Sequence, residues 1–270
     1  MMVSSGVSWT VLMLALALSL LISALGFLRS DWFISIGYGL SISALAVLYG
    51  FWWFDALTWV SMLQLGLLVF YGLRLSSHLI LRERSSSYGA ELETSKQRSA
   101  GMHRPVKFAI WVTVSTLYVL MSWPAAVALS TPTAGSAGVM GTLLMALGVG
   151  LEMTADLQKS AAKKRDPGRF VQTGVFSWVR YPNYLGEMLF WLGNFIACLP
   201  VRAGWGSWLL AAIGLVCIEL IMLGSTRRLE LKQAQRYGSD PQFEQYIQTT
   251  PVLFPFVPLY SVKRLRVYLG

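Results

Sequence analysis

The chain has 270 residues, of which 55% are hydrophobic and only 13% are charged. A soluble domain carries about 25% charged residues, so this composition excludes an ordinary soluble protein and favours an integral membrane protein. The formal net charge is +9. In a membrane protein such an excess is typical of cytoplasmic loops, so we expect membrane lipid, and no nucleic acid, as a partner.

Seven apolar segments can be drawn along the chain, and a membrane span needs about 20 such residues. They cover approximately residues 7–28, 32–54, 56–81, 106–129, 137–157, 184–200 and 205–225. The first lacks a basic stretch before it and a small-residue cleavage site after it, so we interpret it as a span rather than a signal peptide. The sequence therefore predicts an all-α fold, an integral membrane bundle of seven transmembrane helices in a single domain of residues 1–270. Cys198 and Cys217 lie in apolar runs, where we expect buried reduced thiols and no metal site.

The positions of Lys and Arg predict the orientation. Of the 22 such residues, 20 follow odd-numbered segments, whereas Arg202 alone follows an even-numbered one and Arg74 lies within a segment. Because cytoplasmic loops carry the excess of Lys and Arg, the N-terminus is predicted outside and the C-terminus in the cytoplasm. A bacterial inner membrane is the expected location, or the endoplasmic reticulum if the source is eukaryotic.

On this topology, ionisable and hydroxyl groups gather in the cytoplasmic half of the bundle. They are Asp31, Tyr71, Arg74, Glu152, Asp156, Glu187 and Glu219. Each ionisable group is costly in lipid, so together they could line one polar cavity. Simpler roles stay open: Glu152 and Asp156 could pair with nearby cations, Arg74 could extend to the headgroups, and Tyr71 could be packing.

A basic loop precedes Pro182, which suits the first turn of a helix because it has no N–H to leave unpaired. The N–H groups of Asn183 and Tyr184, with Arg180 beside them, could hold an anionic group. The loop contributes further cations, among them Arg165, so the stretch indicates a phosphate-rich cofactor. Attraction to anionic lipid headgroups is the alternative. No glycine-rich nucleotide motif of the soluble type is present.

These residues resemble the steroid 5-alpha-reductase family. The likeness rests on Asp156-Leu-Gln-Lys159, Gly174-Val-Phe-Ser-Trp-Val-Arg180 and Tyr181-Pro-Asn-Tyr-Leu-Gly-Glu187, and more weakly on Tyr71-Gly-Leu-Arg74-Leu-Ser-Ser-His78. It is specific over about residues 150–260 and is closest to bacterial members. The resemblance implies a seven-helix membrane enzyme that reduces a carbon–carbon double bond conjugated to a ketone, with NADPH as cofactor and a lipid-soluble substrate.

Carried onto this chain, the resemblance assigns the cofactor to residues 136–270 and the substrate side to residues 1–135. The implied NADPH contacts are Arg74, Asp156, Arg165, Arg180, Asn183, Tyr184, Glu187, Arg227 and Arg228. Tyr71 corresponds to a tyrosine that hydrogen-bonds the substrate ketone and stabilises the developing enolate.

The sequence departs from the family pattern at two places. The Gln-Glu pair that precedes the third helix in steroid reductases is absent, and Asp31 is our expected substitute for its glutamate. Glu152 stands where the family usually has asparagine. These departures concern the substrate more than the reaction, and we assign Glu152 and Glu219 to substrate binding.

Two other functions share some of these features. Isoprenylcysteine-type and phospholipid methyltransferases carry a similar Arg-x-Pro-x-Tyr-x-Gly turn and a late glutamate, and they bind S-adenosylmethionine. The Asp156-Leu-Gln-Lys159 run favours the reductase. A lipid-binding membrane protein without enzymatic activity is a second alternative.

The orientation can be tested with reporters. A reporter fused after Gly270 is expected to read cytoplasmic and one inserted at Thr133 external, because the Lys and Arg excess follows odd-numbered segments. The opposite pattern would remove the basis for placing the polar residues at the cytoplasmic side.

Overall fold

The computed structural model describes residues 8–84, 89–130, 135–199, 201 and 203–265, without the side chains of residues 90, 91 and 98. Several positions used in the predictions above lie outside this part. They are Val7, Thr133, Pro200, Arg202 and Gly270.

The described chain is helical and contains no strand, which confirms the all-α prediction. The helices are α1 Trp9–Ser23, α2 Ile36–Trp52, α3 Trp59–Glu83, α4 Gly89–Ala100, α5 Arg104–Ser130, α6 Ser136–Arg165, α7 Pro182–Ala197, α8 Trp205–Tyr237 and α9 Pro241–Thr249. Short 3₁₀ turns cover Ala24–Phe27, Ser30–Phe33, Phe54–Ala56 and Gly174–Ser177.

Within the described residues, six helical stretches are long and apolar enough to cross a membrane, which supports an integral membrane protein. They are Trp9–Phe27, Ser30–Trp52, Trp59–Glu83, Arg104–Ser130, Ser136–Arg165 and Trp205–Tyr237. The predicted sixth segment corresponds to α7, whose 16 residues are short for a span of about 20. A seventh span and the orientation of the termini stay predictions.

Local sequence signals set several helix boundaries. The Thr58 hydroxyl accepts from the Ser61 N–H, and the Ser61 hydroxyl accepts in return from the Thr58 N–H, so the two cap the start of α3. The 3₁₀ turn around Asp55 separates α2 from α3, at the break between the predicted segments 32–54 and 56–81. Helix α7 begins at Pro182, where the missing proline N–H leaves no donor unpaired.

The chain forms two compact units. Unit 1 comprises residues 1–142 and 194–215, and unit 2 comprises residues 143–193 and 216–270. The units are defined by packing, whereas the predicted division at residue 135 concerns function and stays a prediction.

In unit 1, small residues let α2 and α3 approach closely. A Cβ atom on Gly39 or Gly72 would collide with the backbone carbonyl of the other residue. Beside this crossing, the Ser43 hydroxyl donates to the Val69 carbonyl at 3.0 Å and the Ser76 hydroxyl to the Ile36 carbonyl at 3.2 Å. Close contact through small residues, with hydroxyls bonded across it, is how helices associate in lipid.

In unit 2, glycines bring α6 and α7 into contact. A Cβ atom on Gly148 would lie 2.5 Å from the Gly186 oxygen, and one on Gly186 would lie 2.8 Å from the backbone nitrogen of Glu152. Real Cβ atoms do not approach backbone that closely, so glycine is required at both positions. The crossing places the start of α7 against the part of α6 that carries Glu152.

Helix α6 offers a matched test of this contact, because no atom of the described part of the chain lies within 4 Å of a Cβ atom on Gly150. Gly148→Ala is expected to cost about 1–3 kcal/mol of stability through overpacking. Gly150→Ala is expected to be neutral or stabilising by up to about 1 kcal/mol, because alanine favours the helix. Thermal unfolding of both variants in detergent measures the difference, and equal Tm values would contradict the close crossing.

Candidate functional site

In unit 1, the predicted ketone-side residue Tyr71 is fully buried, and its hydroxyl lies 3.0 Å from the hydroxyl of Tyr38 on α2. The Tyr38 ring stacks on Tyr118 of α5 with centroids 5.2 Å apart. The Tyr118 hydroxyl donates to the Phe33 carbonyl at 2.6 Å. Two phenols from different helices therefore form one hydrogen-bonded pair in the core of unit 1.

Tyr38 was missed at the sequence level. It lies 33 residues before Tyr71, and no local spacing links the two. The one sequence signal is the position of Tyr38 between Gly37 and Gly39. These glycines permit close helix packing, which favours burial of the tyrosine between them.

Asp31 is bound by a neighbouring cation. The Arg29 guanidinium donates from Nε to Oδ1 at 2.8 Å and from Nη2 to Oδ2 at 2.5 Å, and Nη2 also pairs with Glu83. The hydrogen bond to Asp31 raises the pKa of Arg29. Asp31 makes no hydrogen bond to Tyr71 among the residues that the structure describes.

Arg74 lies on α3, three residues after Tyr71, and is half-buried. Residues three apart share a helix face, so Arg74 and Tyr71 lie on neighbouring parts of α3. Unit 1 thus holds three of the predicted residues: the tyrosine, the arginine and an aspartate that forms an ion pair.

Unit 2 carries the other predicted residues. On α6, Glu152 is buried and packs at the Gly186 crossing, and Asp156 is half-buried one turn further along. Lys163 continues the same helix face. Its ammonium donates to the carbonyls of Pro167 and Arg169 and, at 2.9 Å, to the Tyr237 hydroxyl, so this cation of the predicted basic loop closes the turn after α6.

Arg180 has partners that sequence spacing does not reveal. It is 3% exposed, and its Nη2 donates to Glu230 Oε1 at 3.1 Å and to the Tyr260 carbonyl. The other oxygen of Glu230 accepts from the Val262 N–H at 2.9 Å. Arg180 therefore joins the start of α7 to α8 and to the C-terminal segment.

One donor of Arg180 is left over. Its Nε is buried and has no hydrogen-bond partner among the described residues. A buried donor in this state costs about 1–3 kcal/mol unless something binds it, so Nε is a place where an added acceptor would stabilise the protein.

The backbone just before α7 is bonded to the C-terminal segment. The backbone N–H groups of Arg180 and Tyr181 bond to the carbonyls of Pro251 at 2.9 Å and Val252 at 3.2 Å. In contrast, the half-buried side-chain amide of Asn183 makes no hydrogen bond within the part of the chain that the structure describes. The described residues thus leave the hydrogen-bonding groups of the Asn183 amide unused.

Tyrosines flank Asn183. The rings of Tyr181 and Tyr184 stack with centroids 6.2 Å apart, and the Tyr181 hydroxyl donates to Gln233 Oε1 at 3.0 Å. Burial raises the pKa of Tyr181, which keeps that hydroxyl protonated as a donor. Tyr184 is half-buried.

The remaining predicted residues lie on α7, on α8 and at the end of α6. Glu187 is buried, and Glu219 is half-buried and close enough for their charges to interact. Arg227 donates from Nε to the Lys263 carbonyl at 3.1 Å. Arg228 and Arg165 are exposed; Arg228 has a long contact of 3.4 Å to the Ser225 hydroxyl.

Comparison with known proteins gives the family. A family model described as a protein of unknown function, DUF1295, matches residues 20–250. The chain belongs to this family. It is also 29% identical over 126 residues to the human (Homo sapiens) protein 3-oxo-5-alpha-steroid 4-dehydrogenase 2. The two matches confirm the steroid 5-alpha-reductase resemblance.

The match to the human protein is partial. It covers 44% of this chain and 42% of the human protein, so the chain spans about two fifths of the length of that curated relative. No solved structure matches this chain at a significant level.

The buried ion pair gives a prediction about stability. Arg180→Leu leaves the Glu230 carboxylate buried without its cation, and breaking such a pair costs about 3–5 kcal/mol. The double variant Arg180→Leu/Glu230→Leu is expected to regain most of that loss, because no unpaired charge remains. Denaturant unfolding in detergent measures both.

Arg165→Leu is the matched control, because Arg165 is exposed and makes no described contact. It is expected to change stability by less than about 0.5 kcal/mol. An Arg180→Leu variant as stable as the control would show that the ion pair does not hold the C-terminal segment.

Proposed function

We propose that this protein reduces a carbon–carbon double bond conjugated to a ketone in a steroid-like or other lipid substrate, with NADPH as the hydride donor. Support comes from family membership and from the human relative, whose name describes a dehydrogenase of a 3-oxo steroid. The observation that carries the proposal is the buried hydroxyl pair of Tyr38 and Tyr71.

The tyrosine pair is suited to polarising a ketone. A phenol is protonated at neutral pH and can donate one hydrogen bond while accepting others. When the Tyr38 hydroxyl donates to the Tyr71 oxygen, it polarises the Tyr71 O–H, because linked hydrogen bonds strengthen one another in a medium of low dielectric constant. Tyr71 then donates to the ketone oxygen, and this bond strengthens as negative charge develops there.

We assign Tyr38 as a positioning residue that acts through Tyr71. Asp31 takes a lesser part in this proposal, since Arg29 already occupies both of its carboxylate oxygens. Its role is to fix the loop between α1 and α2. A carboxylate held in this way contributes charge near the membrane face but no proton.

For the cofactor, the residues of unit 2 fit a phosphate-rich anionic molecule. The Arg180 Nε donor is buried and without a described partner, the Asn183 amide makes no described hydrogen bond, and Arg165 and Arg228 are exposed cations. Charge-assisted hydrogen bonds from arginine to phosphate are among the strongest available. Asp156, Tyr184, Glu187 and Arg227 complete the proposed contacts.

When bound, NADPH would supply the hydride that adds to the β-carbon of the enone. The chain's own residues would orient the two molecules and exclude water. Glu152 and Glu219 are proposed as polar residues that contact the substrate.

Conservative variants of the tyrosines test the chemistry. Tyr71→Phe keeps the ring and is expected to lower turnover of an enone by about 100-fold, the scale of losing one oxyanion donor. Tyr38→Phe is expected to lower it about fivefold, because it removes a neutral hydrogen bond worth about 1 kcal/mol. NADPH consumption by the purified protein is the measurement.

Tyr118→Phe serves as the control. Its ring stacks on Tyr38, but its hydroxyl donates to a backbone carbonyl outside the tyrosine pair. Turnover close to wild type is expected. If Tyr71→Phe and Tyr118→Phe lose activity equally, the hydroxyl of Tyr71 has no special part in the reaction.

A further inference from the structure

An exposed apolar loop follows α9 in unit 2. Residues 252–259 are called here the apolar loop. The two ends of the loop are joined by a hydrogen bond of 2.8 Å from the Val252 N–H to the Leu259 carbonyl. Val252 is fully buried, whereas Phe254, Phe256 and Val257 at the tip are 37%, 97% and 48% exposed. Neighbouring aromatic and aliphatic side chains this exposed mark an interaction surface.

The backbone of the tip is suited to an apolar medium. Pro255 and Pro258 have no N–H to desolvate. The Val257 N–H donates to the Phe254 carbonyl at 3.1 Å, and the Leu259 N–H to the Val257 carbonyl at 2.7 Å. An unpaired backbone group costs several kcal/mol in lipid, so these four positions lower the penalty for moving the tip out of water. The N–H groups of Phe254 and Phe256 have no backbone bond among the described residues.

Side chains of unit 2 bind the backbone of the segment that follows the loop. Arg180 donates to the Tyr260 carbonyl, Glu230 accepts from the Val262 N–H, and Arg227 donates to the Lys263 carbonyl at 3.1 Å. Arg227 and Glu230 lie one turn apart on α8, and Arg180 pairs with Glu230. The segment after the loop is therefore attached to α8.

This attachment sets the depth of the loop. Arg227 and Arg228 follow the apolar run of α8, and cations at the end of a span extend to the interface. Glu230 lies about 4.5 Å further along the helix than Arg227, and the headgroup layer is about 5–8 Å thick on each side. The base of the loop is therefore expected at headgroup depth.

We propose that the apolar loop inserts Phe254, Phe256 and Val257 into the bilayer at the face where α8 ends, with Lys263 and Arg264 against anionic headgroups. Phe is among the side chains that interfacial segments bury at the boundary between headgroups and acyl chains. Cations beside the loop are complementary to anionic lipid, and each is worth about 1 kcal/mol near such a surface. The loop thus binds the lipid bilayer at a site separate from the helical spans.

Site-specific fluorescence tests this proposal on the full chain. In a Cys198→Ala/Cys217→Ala background, Phe256→Cys is labelled with an environment-sensitive dye and reconstituted into phosphatidylcholine vesicles with or without phosphatidylglycerol. Ser239→Cys, exposed in the turn between α8 and α9, is the matched control. Val257→Cys provides a second position in the loop should Phe256→Cys fold poorly.

The label at position 256 is expected to emit at shorter wavelength than the one at 239 and to be quenched by nitroxide lipids. Quenching should be stronger with phosphatidylglycerol. Equal aqueous exposure at both positions would overturn the proposal. A shifted emission without lipid quenching would also overturn it, because protein would then cover the loop. Equal quenching in both lipids would overturn the headgroup contact.

Discussion

The buried ion pair of Arg180 and Glu230 is the interaction on which the arrangement of unit 2 depends. It joins residues 50 positions apart and, through Tyr260 and Val262, fixes the C-terminal segment. A buried pair of this kind adds little net stability compared with apolar residues, but losing one partner is expensive. Its main effect is therefore positional: it fixes Asn183 and Tyr184 at the start of α7 and the apolar loop beside α8.

Close contacts at glycines and hydrogen bonds from hydroxyl groups fix the positions of the helices, as the ion pair fixes the C-terminal segment. In lipid, helices gain little from the hydrophobic effect and associate through close packing and internal hydrogen bonds. The pairs Gly39–Gly72 in unit 1 and Gly148–Gly186 in unit 2 serve this purpose. Each lies beside a proposed functional residue, Tyr71 in the first case and Glu152 in the second, so the packing that holds each unit together also positions its candidate site.

Hydropathy predicted most of the helices, because a run of about 20 apolar residues has few other stable structures in a membrane. Even the narrow break at Asp55 was predicted. The polar helices α4 and α9, and the extension of α6 to Arg165 and α8 to Tyr237, have no such signal. The proposed site residues came from motif resemblance, but Tyr38 and Glu230 did not, since each bonds to a partner far away in sequence. Long-range pairs leave no periodic pattern.

The most direct test of the proposed reductase function is calorimetric titration of the purified protein with NADPH and, separately, with S-adenosylmethionine. NADPH is expected to bind and S-adenosylmethionine is not. Asn183→Ala is expected to weaken NADPH binding by about 1–3 kcal/mol, the cost of losing a hydrogen bond to a charged group. Binding of S-adenosylmethionine without binding of NADPH would contradict the reductase function and favour a methyltransferase instead.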